Sequence, residues 1–345
     1  MKDKSRKTTP PGKLRLGVVG AGGIADRRTL PVIGQVPNCE LVIVMDTREP
    51  ERLGRKYGLD WADTLHGVLD RPDVDAVYIA SPVHVHADQV IAAAAAGKHV
   101  LCEKPLARDL AEAEAMVTAC CNAGVLLREA YMLRHHGAHL AIKRKIAAGA
   151  IGTPVYASVQ WAFLYPKTEN AWRQRPELGG GGALADVGCH AFDLLHMLIG
   201  RIKRVAALTG ALVQDYAVED LATVLVQFEN GAQGTVTTSF CLSSGCMPPM
   251  LSIYGSEGRI TANTLSQGSG GTATLYTERD GQSHPIEYEE INTYTQQMEV
   301  FASDVLTGTI TSADCREELL RSMRVLSASY ESAKTCAWVS IGKQH

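Results

Sequence analysis

Apolar runs of strand length alternate with helical patterns through the first 134 residues. Continuous apolar stretches are typical of parallel strands buried on both faces, whereas a half-exposed strand alternates. The predicted strands are 14–19, 40–45, 75–80, 99–102 and 125–131, and the predicted helices between them are 24–35 (interrupted near Pro31), 49–57, 63–70, 86–96 and 109–122. This alternation predicts a doubly wound α/β domain over residues 13–134, preceded by a mobile tail at 1–12.

Beyond residue 134 the pattern changes to strands that follow one another with few helices between them. The predicted strands are 155–164, 201–212, 220–228, 234–240, 250–255, 259–262 and 272–277, with a hairpin loop at 268–271. They indicate an α+β domain over 135–345 with an open, largely antiparallel sheet covered on one face. Helices are predicted at 138–148, 189–199, 294–306 and 315–334. We expect the 189–199 helix to cover the sheet and the final helices to pack back on the first domain.

A glycine loop follows the first strand directly. Gly20, Gly22 and Ala25 fit the spacing G-x-G-x-x-A, and Gly23 and Ile24 lie within it. The first glycine allows a tight turn, the second lets a pyrophosphate approach the backbone, and the alanine lets the helix sit close to the strand. Free N–H groups at a helix N-terminus then attract the phosphates. The loop therefore predicts a dinucleotide site.

The cofactor choice depends on two residues after the second strand. Asp46 stands where a carboxylate accepts hydrogen bonds from an adenosine ribose, which favours NAD because it would repel a 2′-phosphate. Arg48 could pair with that phosphate, so NADP stays open. At the ends of the next strands, further candidate cofactor contacts are Ser81, Pro82, His84, His86, Glu103 and Lys104.

Composition excludes several classes of protein. The 345 residues are 46% apolar and 21% charged with a net charge of −3, so neither disorder, nor a membrane span, nor a nucleic-acid footprint is indicated. The nine cysteines form no C-x-x-C pair and no zinc-type cluster. We therefore expect reduced thiols, a cytoplasmic protein, and no metal site.

Candidate chemistry falls on two stretches. Lys104 ends the fourth strand before a proline, where the carboxyl edge of the sheet would meet a nicotinamide; the alternative is a lysine on a surface loop. After four consecutive glycines at 179–182, Asp186, His190 and Asp193 recur at helical spacing, which puts them on one face. Such a face is costly in a core unless it pairs or borders a cavity, and a core histidine bonded to Asp186 is the alternative.

These motifs resemble the glucose–fructose oxidoreductase, inositol dehydrogenase and MocA-like family. The resemblance rests on the glycine loop at 17–25, Gly97-Lys-His-Val-Leu-Cys-Glu-Lys-Pro105, Glu129-Ala-Tyr-Met132 with Arg134-His135, Trp172-Arg173, and Asp186-Val-Gly-Cys-His190. It implies a Rossmann domain, a second domain with an open antiparallel sheet, and catalysis by Lys104, Asp186 and His190. Val83 departs from the asparagine common in relatives, so a contact to the nicotinamide ribose is expected to be either missing or replaced by His84 or His86.

The hypothesis is reversible hydride transfer between NAD(P) and a secondary alcohol of a sugar, inositol or related polyol. His190 is the expected base, oriented by Asp186, with protonated Lys104 on the alcohol oxygen; Lys104 itself as base is the alternative. Candidate substrate contacts are Tyr131, Arg134, His135, Trp161, Trp172 and Arg173, besides Asp186 and His190. A carbonyl reductase and a non-catalytic dinucleotide sensor are the rival functions, and burial of the open sheet face predicts a homodimer or homotetramer.

Overall fold

The computed structural model describes residues 12–169, 171–246, 250–264 and 270–342. The predicted tail at 1–12 therefore falls almost wholly outside the described residues, as does the first half of the predicted hairpin loop at 268–271. Two sheets organise the described chain, and each is formed by a continuous part of the sequence except for one short strand near the C-terminus.

The first sheet has six parallel strands in the order β3-β2-β1-β4-β5-β6. Its strands are β1 (Leu14–Val19), β2 (Cys39–Met45), β3 (Asp60–Ala62), β4 (Ala76–Ile79), β5 (His99–Cys102) and β6 (Leu127–Glu129). The helices between them are α1 (Leu30–Ile33), α2 (Pro50–Tyr57), α3 (His66–Leu69), α4 (His86–Ala95) and α5 (Leu110–Ala123). The order reverses between β1 and β4, and ligands of such sheets bind outside the carboxyl ends of the strands at that point.

The second sheet has nine strands in the order β14-β13-β12-β11-β7-β10-β9-β8-β15. They are β7 (Pro154–Ala162), β8 (Ile202–Gly210), β9 (Leu221–Phe228), β10 (Gln233–Ser239), β11 (Leu251–Gly255), β12 (Gly258–Asn263), β13 (Thr272–Thr277), β14 (Gln282–Pro285) and β15 (Val339–Ser340). The accompanying helices are α6 (Gly137–Ala147), α7 (Pro176–Gly179), α8 (Cys189–Leu198), α9 (Thr293–Thr307) and α10 (Ser312–Thr335). All ladders are antiparallel except that between β7 and β10, which is parallel.

One face of this sheet is covered and the other is open. Residues on the covered face, such as Val205 and Val224, are fully buried beneath α8 and α10. On the opposite face, Leu208 is 73% exposed and Leu225 is 47% exposed. The alternation along each strand thus produces the one-sided burial expected of an antiparallel sheet.

The final two helices pack on the first sheet, and α10 also contacts the second. The Ser312 hydroxyl, in the first turn of α10, donates to Val125 O (2.8 Å) and accepts from Leu127 N (2.7 Å) beside β6. Near the other end of α10, the Ser332 hydroxyl accepts from Ala207 N in β8 (3.0 Å). On α9, Asp304 accepts from Arg128 in β6 (2.8 Å). These contacts tie the two halves of the chain together.

Three short strands and one helix differ from the sequence-based prediction. The strands β3, β14 and β15 are only two to four residues long, so they give almost no periodic signal. Pro31 does not interrupt its helix, because it stands in the first turn of α1, where a missing N–H costs nothing. The break lies at Gly23, inside the helical segment Ala21–Thr29.

Further short helical segments are Val83–Val85, Met132–His135, Trp172–Gln174, Leu184–Gly188 and Ser244–Cys246. Within the described ranges, no helix combines the length and apolar character needed to cross a membrane. The same residues contain no cluster of three or more His, Cys, Asp or Glu side chains placed to hold a metal ion.

Candidate active site

A cleft of about 1220 Å³ runs along the carboxyl ends of β1, β2, β4 and β5 and reaches residues of the second sheet. Pockets for one drug-sized ligand measure roughly 300–1,000 Å³, so the cleft has room for a long cofactor and a second small molecule. All the predicted cofactor contacts line it: Gly20, Gly22, Gly23, Ile24, Asp46, Arg48, Ser81, Pro82, His84, His86, Glu103 and Lys104. Five of the predicted substrate contacts also line the cleft: Trp161, Trp172, Arg173, Asp186 and His190.

The glycine loop has a close-packed geometry that requires its first glycine. Gly20 has φ +77°, in the left-handed region, and a Cβ there would lie 2.5 Å from Ser81 N. At Gly22, a Cβ would lie 2.9 Å from Asp46 Oδ2, and the Gly22 N–H donates to that oxygen (2.9 Å). The loop therefore forms a cradle in which backbone, without side chains, faces the cleft, as dinucleotide phosphates require.

Asp46 organises the turn after β2. Its Oδ1 accepts the Arg48 N–H (2.9 Å) and the Glu49 N–H (3.3 Å), while Oδ2 holds Gly22. A carboxylate fixed by backbone donors at this position is oriented to accept ribose hydroxyls through its remaining lone pairs. The backbone of Arg48 is thus part of this turn, and its exposed side chain lines the cleft.

The two histidines after β4, which the sequence left as alternatives, differ in their hydrogen bonding. Val83 is fully buried. His86 is 1% exposed, and both its ring nitrogens contact backbone carbonyls, Ser81 O at 2.9 Å and Leu106 O at 3.2 Å. His84 keeps a buried Nδ1 without a hydrogen-bond partner, and burial together with nearby arginines lowers its pKa. Of the two, only His84 therefore has a ring nitrogen available to a ligand.

Glu103 lies beneath the catalytic candidate and not free in the cleft. It is 7% exposed, its Oε1 accepts from Tyr78 Oη (2.6 Å), and its Oε2 accepts the Lys104 N–H (3.3 Å). Burial raises the pKa of this carboxyl, against the opposing effect of the Tyr78 hydrogen bond. The following Lys104–Pro105 peptide bond is cis. Glu103 thus holds the backbone from which Lys104 extends.

Lys104, Asp186 and Arg173 form one charged cluster in the cleft. Lys104 Nζ donates to Asp186 O (2.8 Å) and Oδ1 (3.0 Å), and Arg173 Nε donates to the same Oδ1 (3.1 Å). The Lys104 and Asp186 side chains are only 15% and 12% exposed. Burial opposes both charges, but the opposite charges prevail: the pKa of Lys104 is raised, and that of Asp186 is far below its usual range. Lys104 is therefore an ammonium group near neutral pH.

His190 stands beside this cluster as a neutral ring. It is 2% exposed, stacks on Trp161 (centroids 5.1 Å apart, 26° between planes), and its Nδ1 has no hydrogen-bond partner. Burial, followed by the charge of Lys104, lowers the pKa of His190 well below its ordinary value. The expected hydrogen bond from His190 to the Asp186 carboxylate is not formed, because that carboxylate accepts from Lys104 and Arg173.

Three of the predicted substrate contacts, Tyr131, Arg134 and His135, do not line the cleft, and neither does Asp193, which corrects the sequence-based placement. Arg134 Nε donates to Asp193 (2.8 Å), and its guanidinium also binds Glu318. Asp193 is 1% exposed and faces this arginine, so it does not share a surface with Asp186 and His190. Tyr131 is 3% exposed and meets the edge of the His190 ring at 5.7 Å. Asp193 can be buried because Arg134 neutralises its charge, and helical spacing alone does not reveal such a partner.

The run of glycines before Asp186 serves close packing. A Cβ on Gly181 would lie 1.9 Å from Tyr330 Oη of α10. Glu219 Oε1 accepts the N–H groups of Gly182 and Leu184 (both 2.9 Å) and the Tyr330 hydroxyl (2.8 Å). These bonds fix the segment that carries Asp186, so the glycines position a charged side chain without contacting a ligand themselves.

Several cleft residues escaped the sequence reasoning. Arg27 on the glycine-loop helix, Gln89 on α4 and Tyr294 on α9 all line the cleft. The aromatic residues Phe163 and Tyr165 continue the wall beyond Trp161. The sequence signal for them was that Trp161, Phe163 and Tyr165 are two residues apart, because such residues lie on the same side of an extended chain. Tyr294 is 269 or more positions from any glycine-loop residue, and no local pattern could have linked them.

The fold and the cleft together define a nicotinamide-dinucleotide oxidoreductase: a parallel sheet of order 3-2-1-4-5-6, a glycine cradle with its acidic partner, and a lysine, an aspartate and a histidine at the second sheet. Residues 14–131 match the family described as "Oxidoreductase family, NAD-binding Rossmann fold", and residues 139–261 match the "GFO/IDH/MocA C-terminal domain".

Similar proteins extend over nearly the whole chain. The D-xylose 1-dehydrogenase (NADP(+)) 2 of Haloferax volcanii is 30% identical over 95% of this chain and 100% of its own length. The 1,5-anhydro-D-fructose reductase of Ensifer adhaerens is 33% identical over 84% of this chain and 88% of the reductase. The crystal structure of aldose-aldose oxidoreductase from Caulobacter crescentus, complexed with glycerol, has a TM-score of 0.86 at 26% identity and covers 95% of this chain and 99% of that one. The chain belongs to the GFO/IDH/MocA family of NAD(P)-dependent oxidoreductases.

Proposed function

We propose that this enzyme transfers hydride between NAD(P) and a secondary alcohol or ketone of a sugar, inositol or related polyol. The observation that carries the proposal is the cluster in which Lys104 and Arg173 converge on Asp186 beside the neutral ring of His190, at the end of a dinucleotide cleft. The relatives named as sugar dehydrogenase and sugar reductase support the same class of substrate.

The two candidate catalytic groups have opposite protonation states, which suits them to different roles. A nicotinamide ring in the cleft would accept or supply the hydride. The neutral His190 ring is able to take the hydroxyl proton, since its pKa lies below neutrality. The Lys104 ammonium is able to donate a hydrogen bond to the substrate oxygen and stabilise the charge that develops there. Lys104 as the first base is disfavoured because its pKa is raised.

Asp186 acts on Lys104 and Arg173 in this proposal, and not on His190. Its carboxylate holds the ammonium group in the charged form and fixes the direction of both cationic side chains. Arg173 also lies 4.1 Å over the Trp172 ring, which restricts the guanidinium further. Trp161 and Trp172 offer flat faces for the C–H side of a sugar ring, while Arg173 offers donors for its hydroxyls.

NAD is the proposed cofactor, with NADP as the alternative. Asp46 at the end of β2 would accept the ribose hydroxyls and repel a 2′-phosphate, whereas the exposed Arg48 would attract one. The predicted phosphate and nicotinamide contacts are Gly20, Gly22, Gly23, Ile24, Ser81, Pro82 and His84. His86 and Glu103 belong to the supporting layer, because their polar atoms are already bonded.

A substrate screen tests this function. The purified enzyme is incubated with NAD or NADP and each of a set of aldoses, inositols and sugar acids, and reduced nicotinamide is followed by its absorbance. The same set of ketoses and keto-inositols with NADH or NADPH tests the reductive direction. We expect turnover with at least one polyol and a preference for NAD; a protein that binds NADH but converts none of them would be a dinucleotide sensor instead.

The open face of the second sheet supports a homodimer or homotetramer. Leu208 and Leu225 lie on the same face of neighbouring strands, because Leu225 pairs with Ala206. Contiguous exposed apolar surface of this kind marks association sites. Light scattering should give a mass above 37.1 kDa for the wild type and a smaller mass for L208E/L225E. A monomeric wild type would contradict the proposal. The nine unpaired cysteines are compatible with a cytoplasmic location.

A further inference from the structure

His86 joins two turns that carry different parts of the proposed site. The Ser81–Pro82 turn follows β4 on the cofactor side, and Lys104, Pro105 and Leu106 follow β5 on the catalytic side. The β4–β5 ladder sets the spacing only as far as the Glu103 N–Ile79 O hydrogen bond (2.8 Å), and the two turns lie beyond it. The His86 ring lies between them, with Nε2 2.9 Å from Ser81 O and Nδ1 3.2 Å from Leu106 O.

The Ser81 turn is held from two further directions. The Ser81 hydroxyl donates to Gln89 Oε1, one turn along α4 from His86. On the other side, the backbone of Ser81 packs so closely on Gly20 that a Cβ there would lie 2.5 Å from Ser81 N. Movement of Ser81 would therefore be felt by the glycine loop, and the first turn of α4 controls that position.

The two carbonyl contacts show why imidazole suits this place. A neutral imidazole carries one N–H and can donate to only one carbonyl, while a ring protonated on both nitrogens donates to both. Burial lowers the pKa of His86, and the two carbonyls oppose that shift. In either state the flat ring fills the gap between the two turns and keeps a donor on at least one of them. At 1% exposure, His86 has no free polar atom for a ligand.

We propose that His86 is a positioning residue that fixes the catalytic lysine turn relative to the Ser81 turn and the glycine loop. The proposal rests on the proposed function of this cleft. It assigns His86 no contact with substrate or cofactor. Its effect passes through Leu106 and Pro105 to Lys104, and through Ser81 to Gly20. A misplacement on the order of 1 Å between reacting groups can cost about a hundredfold in rate.

The test compares His86→Phe, which keeps a ring but has no donor, with His86→Gln, which keeps one donor. His139 provides the matched control, since it is fully buried, bonds Leu133 O (2.8 Å) and Thr264 Oγ1 (2.7 Å), and lies outside the cleft. For each variant, kcat and KM are measured with NAD and the best polyol of the screen, NADH affinity by calorimetric titration, and stability by urea unfolding.

We expect His86→Phe to lower kcat by at least about tenfold and to weaken NADH binding several-fold, with a smaller loss in His86→Gln. His139→Phe should lose comparable stability while keeping kcat and NADH affinity. Wild-type kcat and NADH affinity in His86→Phe, or equal losses in His139→Phe, would overturn the role of His86. If the wild type binds NADH but oxidises no polyol, the proposed function fails, and the NADH titration alone still decides the role of His86.

Discussion

Replacement of Lys104 by methionine removes the ammonium group while keeping the length of the side chain. In the folded protein this group makes two hydrogen bonds to Asp186, at 2.8 and 3.0 Å. Arg173 still donates to the carboxylate at 3.1 Å, so the variant does not leave Asp186 as an unpaired buried charge. The perturbation therefore acts mainly on whatever Lys104 does for the substrate.

The expected effects on rate and on stability differ in size. A positioned group that donates to the reacting oxygen contributes about 10²–10⁴ in rate, which corresponds to roughly 2.7–5.4 kcal/mol of activation free energy. Hydrogen bonds to a charged group contribute about 1.5–3 kcal/mol to stability. K104M should thus lose at least a hundredfold in kcat while its free energy of unfolding falls by no more than a few kcal/mol.

Lys98 offers a matched control at the other end of β5. It precedes β5 at the opposite edge of the sheet, where Nζ donates to Arg71 O (2.8 Å) and Val74 O (2.7 Å). K98M removes a part-buried lysine with two carbonyl partners, far from the cleft. The assay follows nicotinamide absorbance at saturating NAD and polyol, with NADH affinity and urea unfolding measured on both variants.

The outcome separates a catalytic lysine from a structural one. We expect K98M to lose stability and keep kcat, and K104M to lose kcat and keep NADH affinity within a few-fold. Near-normal turnover in K104M would refute the catalytic role. A loss of kcat in K98M equal to that in K104M would refute it as well, because the effect would then follow from stability.

Three further predictions concern groups around the site. Burial raises the pKa of Glu129 to about 8, so the folded state holds a proton that the unfolded chain releases near 4.5. The free energy of unfolding should therefore fall as pH rises between these values. Urea unfolding of E129Q should lack this fall, and the same pH dependence in E129Q and wild type would contradict the prediction. R134M should cost about 3–5 kcal/mol because Asp193 becomes a lone buried charge, with KM for the polyol unchanged and stability regained in R134M/D193L; a raised KM would restore Arg134 to substrate binding. D46S should raise the ratio of kcat/KM for NADP to that for NAD by about tenfold or more, because about 1.4 kcal/mol of repulsion between the carboxylate and the 2′-phosphate is removed. An unchanged ratio would mean that Arg48, and not Asp46, determines the cofactor preference.

The sequence predicted the fold correctly where an apolar run was long or where a glycine motif had a specific spacing. Continuous apolar runs identified the long strands of the first sheet, and the loop at Gly20–Ala25 with Asp46 identified the cofactor side. The parallel pairing of β7 with β10 was not predictable, because strands that are neighbours in space are separated by α8, β8 and β9 in sequence. Pairing across such distances depends on tertiary packing, which periodicity does not encode.

Within the site, residue types were predicted better than their partners. Lys104, Asp186 and His190 were catalytic candidates by position and by resemblance, and they do lie in one cleft. The sequence paired Asp186 with His190, whereas the structure pairs it with Lys104 and Arg173. The helical spacing of four permits the first pairing. Contacts across 82 positions in sequence win because two cations satisfy a buried carboxylate better than a neutral imidazole does. Arg134 was misplaced for the same reason.

The bridging position of α10 has a consequence for biosynthesis. The helix follows every strand of both sheets except β15, and it carries Ser312 against β6, Ser332 against β8, and Tyr330 against the glycines before Asp186. The ribosome therefore synthesises the helix that completes both halves about 300 residues after the glycine loop. The nascent chain can form most of its first sheet early, but α10 anchors the segment that carries Asp186 only once translation has passed Thr335.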